Sequence, residues 1–208
     1  MTQHHLLLYL LIPLAYIMGS VPFGIIISKR SGVDIRGMGS GNIGATNVLR
    51  TMGKVPALLT LMGDALKGAI PVLICRLILN TSNLGGGELW EGLVGLMAIL
   101  GHMYPAFLSF KGGKGVATSL GVFIVYAPIS TVFAILIWLL VAVITRYSSL
   151  SAIIASICLT FFILFFDGFS IKIYFSVFIA IMIISKHRDN IKRLLKGTEH
   201  RFGGRVAD

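Results

Sequence analysis

The chain has 208 residues, of which 56% are hydrophobic and only 12% charged, with a formal net charge of +10. A soluble domain of this size would carry about twice that charged fraction, so composition excludes an ordinary soluble fold. The positive excess also argues against nucleic-acid binding, because it sits in short loops and a tail between apolar runs, as topology signals do.

The first apolar run covers residues 6–28, enough for a bilayer core that needs roughly 20 residues. No basic region precedes it and no small-residue cleavage site accompanies it, so a retained helix is expected. His4 and His5 then sit as solvated imidazoles at its outer edge.

A basic, glycine-rich stretch follows, running Gly39-Ser40-Gly41-Asn42-Ile43-Gly44-Ala45-Thr46-Asn47-Val48-Leu49-Arg50. Such backbone cannot face lipid, where each unsatisfied N–H or C=O costs several kcal/mol. Ser40, Asn42, Thr46 and Asn47 offer hydrogen bonds to a phosphate or a hydroxyl. Asn47 is expected to cap a helix that carries Arg50 about one turn in, where a planar fork suits phosphate. The plainer alternative is a capped turn with a topology-setting cation.

The second run, 55–79, holds Asp64 and Lys67 at i and i+3 on one helical face. Ionisable groups in a span are expensive, and the spacing fits a functional pair or a structural one. Trp90, expected as an interfacial anchor, and Glu91 precede the third run, 92–110. Within that run lies Gly101-His102-Met103-Tyr104-Pro105, where His102 reads better as a packing residue than as a pocket wall.

Lys111-Gly112-Gly113-Lys114-Gly115 comes next, at the expected start of a helix. Glycines let backbone N–H groups approach an anion; a helix amino terminus adds roughly half a charge and Lys114 a full one. The spacing is not that of a nucleotide P-loop, so ATP is not implied. A flexible basic turn remains the alternative.

The long apolar stretch that follows breaks at Ala127-Pro128 into runs 114–127 and 129–145. Runs 150–166 and 170–186 complete seven expected crossings in a single 1–208 domain. An odd count gathers one set of basic segments on one side. They are 29–54 with Lys29, Arg30, Arg36, Arg50 and Lys54, then Lys111 and Lys114, then Arg146. The tail adds Lys186, Arg188, Lys192, Arg193, Lys196, Arg201 and Arg205. Arg76 and Lys172 fall near the other side. The positive-inside rule then puts the amino terminus outside, the carboxyl terminus in the cytoplasm and a cationic site on the cytoplasmic face.

In the tail, Ile191, Leu194 and Leu195 follow helical spacing, which predicts a short basic amphipathic helix on the membrane surface. His187 and Asn190 share a face at the last crossing's exit, where they could enter the site. Glu199 reads as a structural partner for a nearby arginine. Cys75 and Cys158 lie in apolar runs and read as small hydrophobes, and no metal-ligand cluster or cofactor motif is apparent.

Taken together, these stretches resemble the bacterial acyl-phosphate:glycerol-3-phosphate acyltransferase family (PlsY type). The matching residues are Gly19-Ser20-Val21-Pro22-Phe23-Gly24, Gly39 to Arg50, Gly63-Asp64 with Lys67-Gly68, Gly101-His102 with Pro105, Lys111 to Gly115, and His187-Arg188-Asp189-Asn190-Ile191 onward to Gly197-Thr198-Glu199-His200. The likeness spans about residues 16–203, and the order and spacing of the motifs make it specific.

The resemblance implies an all-α, seven-helix enzyme of the bacterial inner membrane. It would move an acyl group from acyl phosphate to the 1-hydroxyl of sn-glycerol 3-phosphate, giving lysophosphatidate and phosphate without a cofactor. This is the first acylation of phospholipid synthesis, with a functional link to the enzyme that makes acyl phosphate. It further implies Ser40, Arg50 and Lys114 at the reaction centre and Gly112 and Gly113 in the acyl-phosphate loop. Asn42, Thr46, Asn47, His187 and Asn190 would be near the substrates.

No His is followed five positions later by Asp, so the His/Asp base of another glycerolipid acyltransferase class is absent. Neither cysteine is placed as a nucleophile, so direct attack without an acyl-enzyme is expected, with the donor's own phosphate taking the hydroxyl proton. A transporter or flippase for a phosphorylated metabolite or lipid is the main competing reading, but it predicts midplane charge and inverted repeats. A metal-dependent phosphotransferase would need more aspartates than Asp34, Asp189 and Asp208. An intramembrane serine protease would need a Ser–His pair at membrane depth.

Overall fold

The computed structural model describes residues 3–82 and 84–202; Arg205 and Asp208, named above, lie outside them. All regular structure among the described residues is helical. The chain divides after Tyr126 into two compact units, at the Ala127-Pro128 break expected from the sequence.

The first unit contains α1 (Gln3–Gly19), α2 (Phe23–Arg30), α3 (Ala45–Met52), α4 (Lys54–Ser82), α5 (Gly87–Met103) and α6 (Val116–Tyr126). Short 3₁₀ turns at Ile35–Gly37 and Ala106–Leu108 punctuate its two long loops. The first apolar run, expected as one helix, is broken between α1 and α2 at Ser20-Val21-Pro22. Pro22 lacks an N–H and pushes Val21 out of the helical region, so the chain jogs there.

Glycines let the helices of this unit touch backbone to backbone. A Cβ on Gly19 would strike the Ala98 carbonyl, and one on Gly101 the Tyr16 carbonyl, locking α1 against α5. Gly68 meets the Thr118 carbonyl and Gly121 the Ala65 carbonyl in the same way, locking α4 against α6.

Helix α5 begins at Gly87, earlier than the 92 expected, and takes Trp90 and Glu91 inside it. The reason is an ion pair across the turn from α4. Arg76 Nε donates to Glu91 Oε1 at 2.8 Å and Nη2 to Oε2 at 2.6 Å, which neutralises the acid. Trp90 meets Tyr9 of α1 edge-on, with ring centroids 5.0 Å apart. Because α4 and α5 form a hairpin, the start of α4 and the finish of α5 share one end of the unit. Tyr126 Oη donates to the Glu88 carbonyl at 2.8 Å, which tethers the finish of α6 to the opposite end. Both glycine-rich loops therefore emerge together.

The second unit contains α7 (Pro128–Thr145), α8 (Ser148–Phe166), α9 (Ile171–Lys186) and α10 (Arg188–Leu195). Phe133, Phe162 and Phe166 pack as a ring cluster between α7 and α8. Asp167 accepts from Ser130 Oγ at 2.9 Å and from Lys172 Nζ at 2.6 Å, closing one end. At the other end the Arg146 guanidinium donates to the Phe202 carbonyl at 2.8 Å, and Arg201 Nε to Tyr147 Oη at 2.9 Å. Arg146 and the tail thus lie together.

Among the described residues, five segments are long and apolar enough to cross a membrane: Gln3–Arg30, Lys54–Ser82, Gly87–Leu108, Pro128–Thr145 and Ser148–Phe166. Helix α6, with 11 residues, and α9, with 16, are shorter than a full core requires. Leu58, Leu136, Leu140, Val143 and Phe165 stand among many exposed apolar side chains on the long helices. Such outward faces suit lipid and not water.

Candidate active site

The two glycine-rich loops stand on one apolar footing. Ile25, Ile35, Ile43, Val48 and Ala57 are buried together, and Met52 and Leu108 pack against them. Ile43 and Val48 belong to the first loop and its helix, whereas Leu108 belongs to the segment leading into the second. Burial of these side chains, at about 25 cal/mol per Å² of apolar surface, joins the loops through hydrocarbon.

In the first loop Gly39 and Gly41 take left-handed backbone, with φ of +58° and +68°. Asn47 corrects the capping expectation. Helix α3 is capped by Gly44, with no side-chain bond, and Asn47 lies inside the helix, 1% exposed. Its Oδ1 accepts the Ser40 N–H, and its Nδ2 donates to the carbonyls of Ile35 and Met38. Asn47 therefore ties the loop to the helix through its amide. Buried Asn47 and Val48 mark the inner face of α3. Thr46 and Arg50, at i and i+4, share another face and are half-buried. Ser40 and Asn42 are half-buried beside it.

In the second loop Gly112 and Gly113 lie flat on the end of α5. The Gly113 N–H donates to the His102 carbonyl at 3.1 Å. A Cβ on Gly112 would strike that carbonyl and the Pro105 ring, and one on Gly113 would strike the His102 imidazole. Gly115, with φ of +81°, turns the chain into α6, which begins at Val116. Lys114 is half-buried and Lys111 exposed. The loop does open a helix, as expected.

Beneath this loop runs a buried polar chain. His102 Nδ1 lies 3.6 Å from Asp64 Oδ1, and Lys67 Nζ lies 2.7 Å from the same oxygen. Lys67 Nζ also donates to the Val21 carbonyl at 2.7 Å, satisfying backbone freed by the α1–α2 break. Asp64 and Lys67 thus form a buried ion pair on one face of α4.

His187 and Asn190, expected near the substrates, belong to the second unit and are buried there. His187 Nδ1 lies 2.8 Å from the Ile183 carbonyl, and Asn190 Nδ2 donates to Glu199 Oε1 at 2.6 Å. Glu199 also accepts from Ser149 Oγ at 2.8 Å and from Arg193 Nε at 2.7 Å. Burial alone would raise its carboxyl above the ordinary range, but the bonds from Asn190, Ser149 and Arg193 prevail and hold it below. Its expected structural pairing with arginine is present.

Residues 9–197 match the sequence model of the family described as glycerol-3-phosphate acyltransferase. The chain belongs to that family. It is 47% identical over 193 residues to the glycerol-3-phosphate acyltransferase of Geobacter sulfurreducens, covering 93% of this chain and 96% of that one. A crystal structure of PlsY (YgiH), an integral membrane glycerol 3-phosphate acyltransferase, in its glycerol 3-phosphate form superposes with a TM-score of 0.86. That protein is 44% identical, over 94% of this chain and 96% of the other. The lysophosphatidic acid form of PlsY superposes with a TM-score of 0.84 at 44% identity, over 94% and 95% of the two chains.

For a glycerol-3-phosphate acyltransferase the two loops have the right chemistry. Arg50 and Lys114 carry positive charge, Ser40 and Thr46 carry hydroxyls, and the glycines leave room for an anion to approach the backbone closely. Residues that sequence reasoning undervalued are His102 and Lys67, which support the loops from below. The signal for them was a titratable group in each of two adjacent apolar runs.

Proposed function

We propose that this glycerol-3-phosphate acyltransferase uses acyl phosphate as donor and releases lysophosphatidate and inorganic phosphate. The footing shared by the Ser40–Arg50 and Lys111–Gly115 loops carries this reading, because it brings two cationic anion-binding elements to one end of one unit. Two phosphorylated reactants repel one another strongly outside such a pocket. Arg50, with Ser40, Asn42 and Thr46, holds glycerol 3-phosphate. Lys114 holds the acyl phosphate, which the side-chain-free Gly112–Gly113 segment lets come close to the backbone.

The donor is a mixed anhydride, so the carbonyl is already activated. The 1-hydroxyl oxygen attacks the carbonyl carbon, and the bond from that carbon to the phosphate oxygen breaks. The leaving phosphate takes the hydroxyl proton, which balances the step without an acyl-enzyme. Lys114 neutralises the departing charge, and orientation supplies most of the remaining acceleration. The protein sits in a bacterial inner membrane with seven crossings, its amino terminus outside and both motif loops cytoplasmic. The acyl tail stays among lipid-facing helices, and the enzyme that makes acyl phosphate feeds it.

The test is turnover by detergent-purified protein with glycerol 3-phosphate and palmitoyl phosphate, palmitoyl-CoA or palmitoyl acyl-carrier protein. Product with palmitoyl phosphate alone is expected; product only from a thioester overturns the donor assignment. An acyl group trapped on Ser40 overturns direct attack.

A further inference from the structure

The Gly112–Gly113 loop has no regular structure of its own, yet its backbone is held on a defined surface. That surface is His102. The imidazole is 4% exposed and sandwiched. Its Nε2 edge lies under the Gly113 backbone, so closely that no Cβ fits, and its Nδ1 edge faces Asp64 at 3.6 Å. Asp64 is in turn fixed by Lys67 at 2.7 Å, and Lys67 by the Val21 carbonyl and the Phe23 ring, whose centroid is 5.9 Å from Nζ. Gly63 presses on the same ring. The ring therefore cannot retreat from the loop without disturbing a buried carboxylate.

We infer that His102 is a positioning residue for the acyl donor: its imidazole, backed by Asp64 and Lys67, sets the height and shape of the Gly112–Gly113 backbone that receives the donor phosphate. This rests on the assignment of that loop to acyl phosphate. Neither Gly112 nor Gly113 needs left-handed backbone, since their φ values lie outside that region. Alanine at Gly113 is thus opposed by the imidazole and not by its own conformation. Removing the imidazole should make room for it.

The experiment is a double-substitution cycle on the full-length, membrane-extracted enzyme, reading KM for each substrate and kcat. Gly113→Ala is expected to raise KM for palmitoyl phosphate about tenfold or more, with KM for glycerol 3-phosphate changed about twofold at most. His102→Ala is expected to raise the same KM about fivefold by letting the loop sink. In the combined variant the effect should be no larger than that of Gly113→Ala alone, because the methyl fills the space the ring vacated.

Multiplying effects, or equal changes in both KM values, would overturn the inference. His102→Asn serves if the alanine variant fails to accumulate. Its shorter amide stays near the Nδ1 position that faces Asp64 and vacates the Nε2 edge under Gly113, so it too should relieve Gly113→Ala, and failure to do so counts against the proposal equally. Should the donor be a thioester, the cycle is read with that thioester. Non-additivity then upholds the coupling while the donor assignment falls.

Discussion

Asn47 Oδ1 accepts the Ser40 N–H at 2.8 Å, while its Nδ2 donates to the Met38 carbonyl at 3.0 Å and the Ile35 carbonyl at 3.3 Å. One buried amide thereby closes a loop in both directions. Asn47→Ala strands those backbone groups, at about 1–3 kcal/mol for each that water cannot reach. Asn47→Asp keeps the acceptor for Ser40 but turns oxygen towards two carbonyls, so it should be as harmful despite its near-identical shape. Both variants are expected to lower the thermal midpoint in detergent and raise KM for glycerol 3-phosphate about tenfold or more. A raised KM with an unchanged midpoint would mean that Asn47 contacts substrate directly.

Arg50 on α3 and Lys114 in the second loop stand over a common footing, and both are half-buried. On the proposed roles, removing Arg50 should loosen glycerol 3-phosphate and removing Lys114 should leave the departing charge unneutralised, with the fold intact in both. Arg50→Ala and Lys114→Ala are each expected to cut kcat/KM by about a hundredfold to a thousandfold, with normal membrane insertion. Arg50→Lys keeps the charge but loses the planar fork, and should recover only part of the loss. Near-normal turnover in either alanine variant would remove that residue from the site.

The seven apolar runs each contain a helix, and the breaks at Ala127-Pro128 and before Val116 stand where composition put them. These features are legible because proline, glycine and charge act locally. The role of Asn47 is not, since its partners are backbone carbonyls without any side-chain signature. Glu91 entered α5 unexpectedly because its partner Arg76 is 15 positions away across a turn. The break after Gly19 leaves no mark in hydropathy, which is continuous through it. What the sequence shows clearly is chemistry at the loops; what it hides is the support beneath them.

Glu199 ties the tail to α8 and α10, and its carboxyl is held below its ordinary value near 4.5. A depressed acid stabilises the fold fully above its unfolded value and loses that contribution as pH falls through the folded one. The second unit should therefore be insensitive to pH between about 6 and 8 on this account, and weaken progressively below about 4.5. Glu199→Gln presents an amide N–H to Arg193 and should destabilise by about 1–3 kcal/mol at neutral pH. Thermal midpoints measured from pH 7 to 3.5 should show the gap between wild type and variant narrowing on the acid side. A gap that is constant across that range would mean the carboxylate charge contributes nothing.

Gly121 faces the Ala65 carbonyl so closely that an added Cβ would collide with main chain, which cannot rotate away as a side chain would. Gly121→Ala must push α6 off α4, and overpacking of this kind costs about 1–3 kcal/mol. Because α6 begins just after Lys114, the displacement should reach the donor loop and lower turnover as well as stability. Gly85→Ala is the matched control, since no atom lies within 4 Å of its added Cβ and its backbone is not left-handed. The control should match wild type in thermal midpoint and kcat while Gly121→Ala falls in both. Equal behaviour of the two variants would mean that the α4–α6 contact tolerates a methyl and does not set the loop's position.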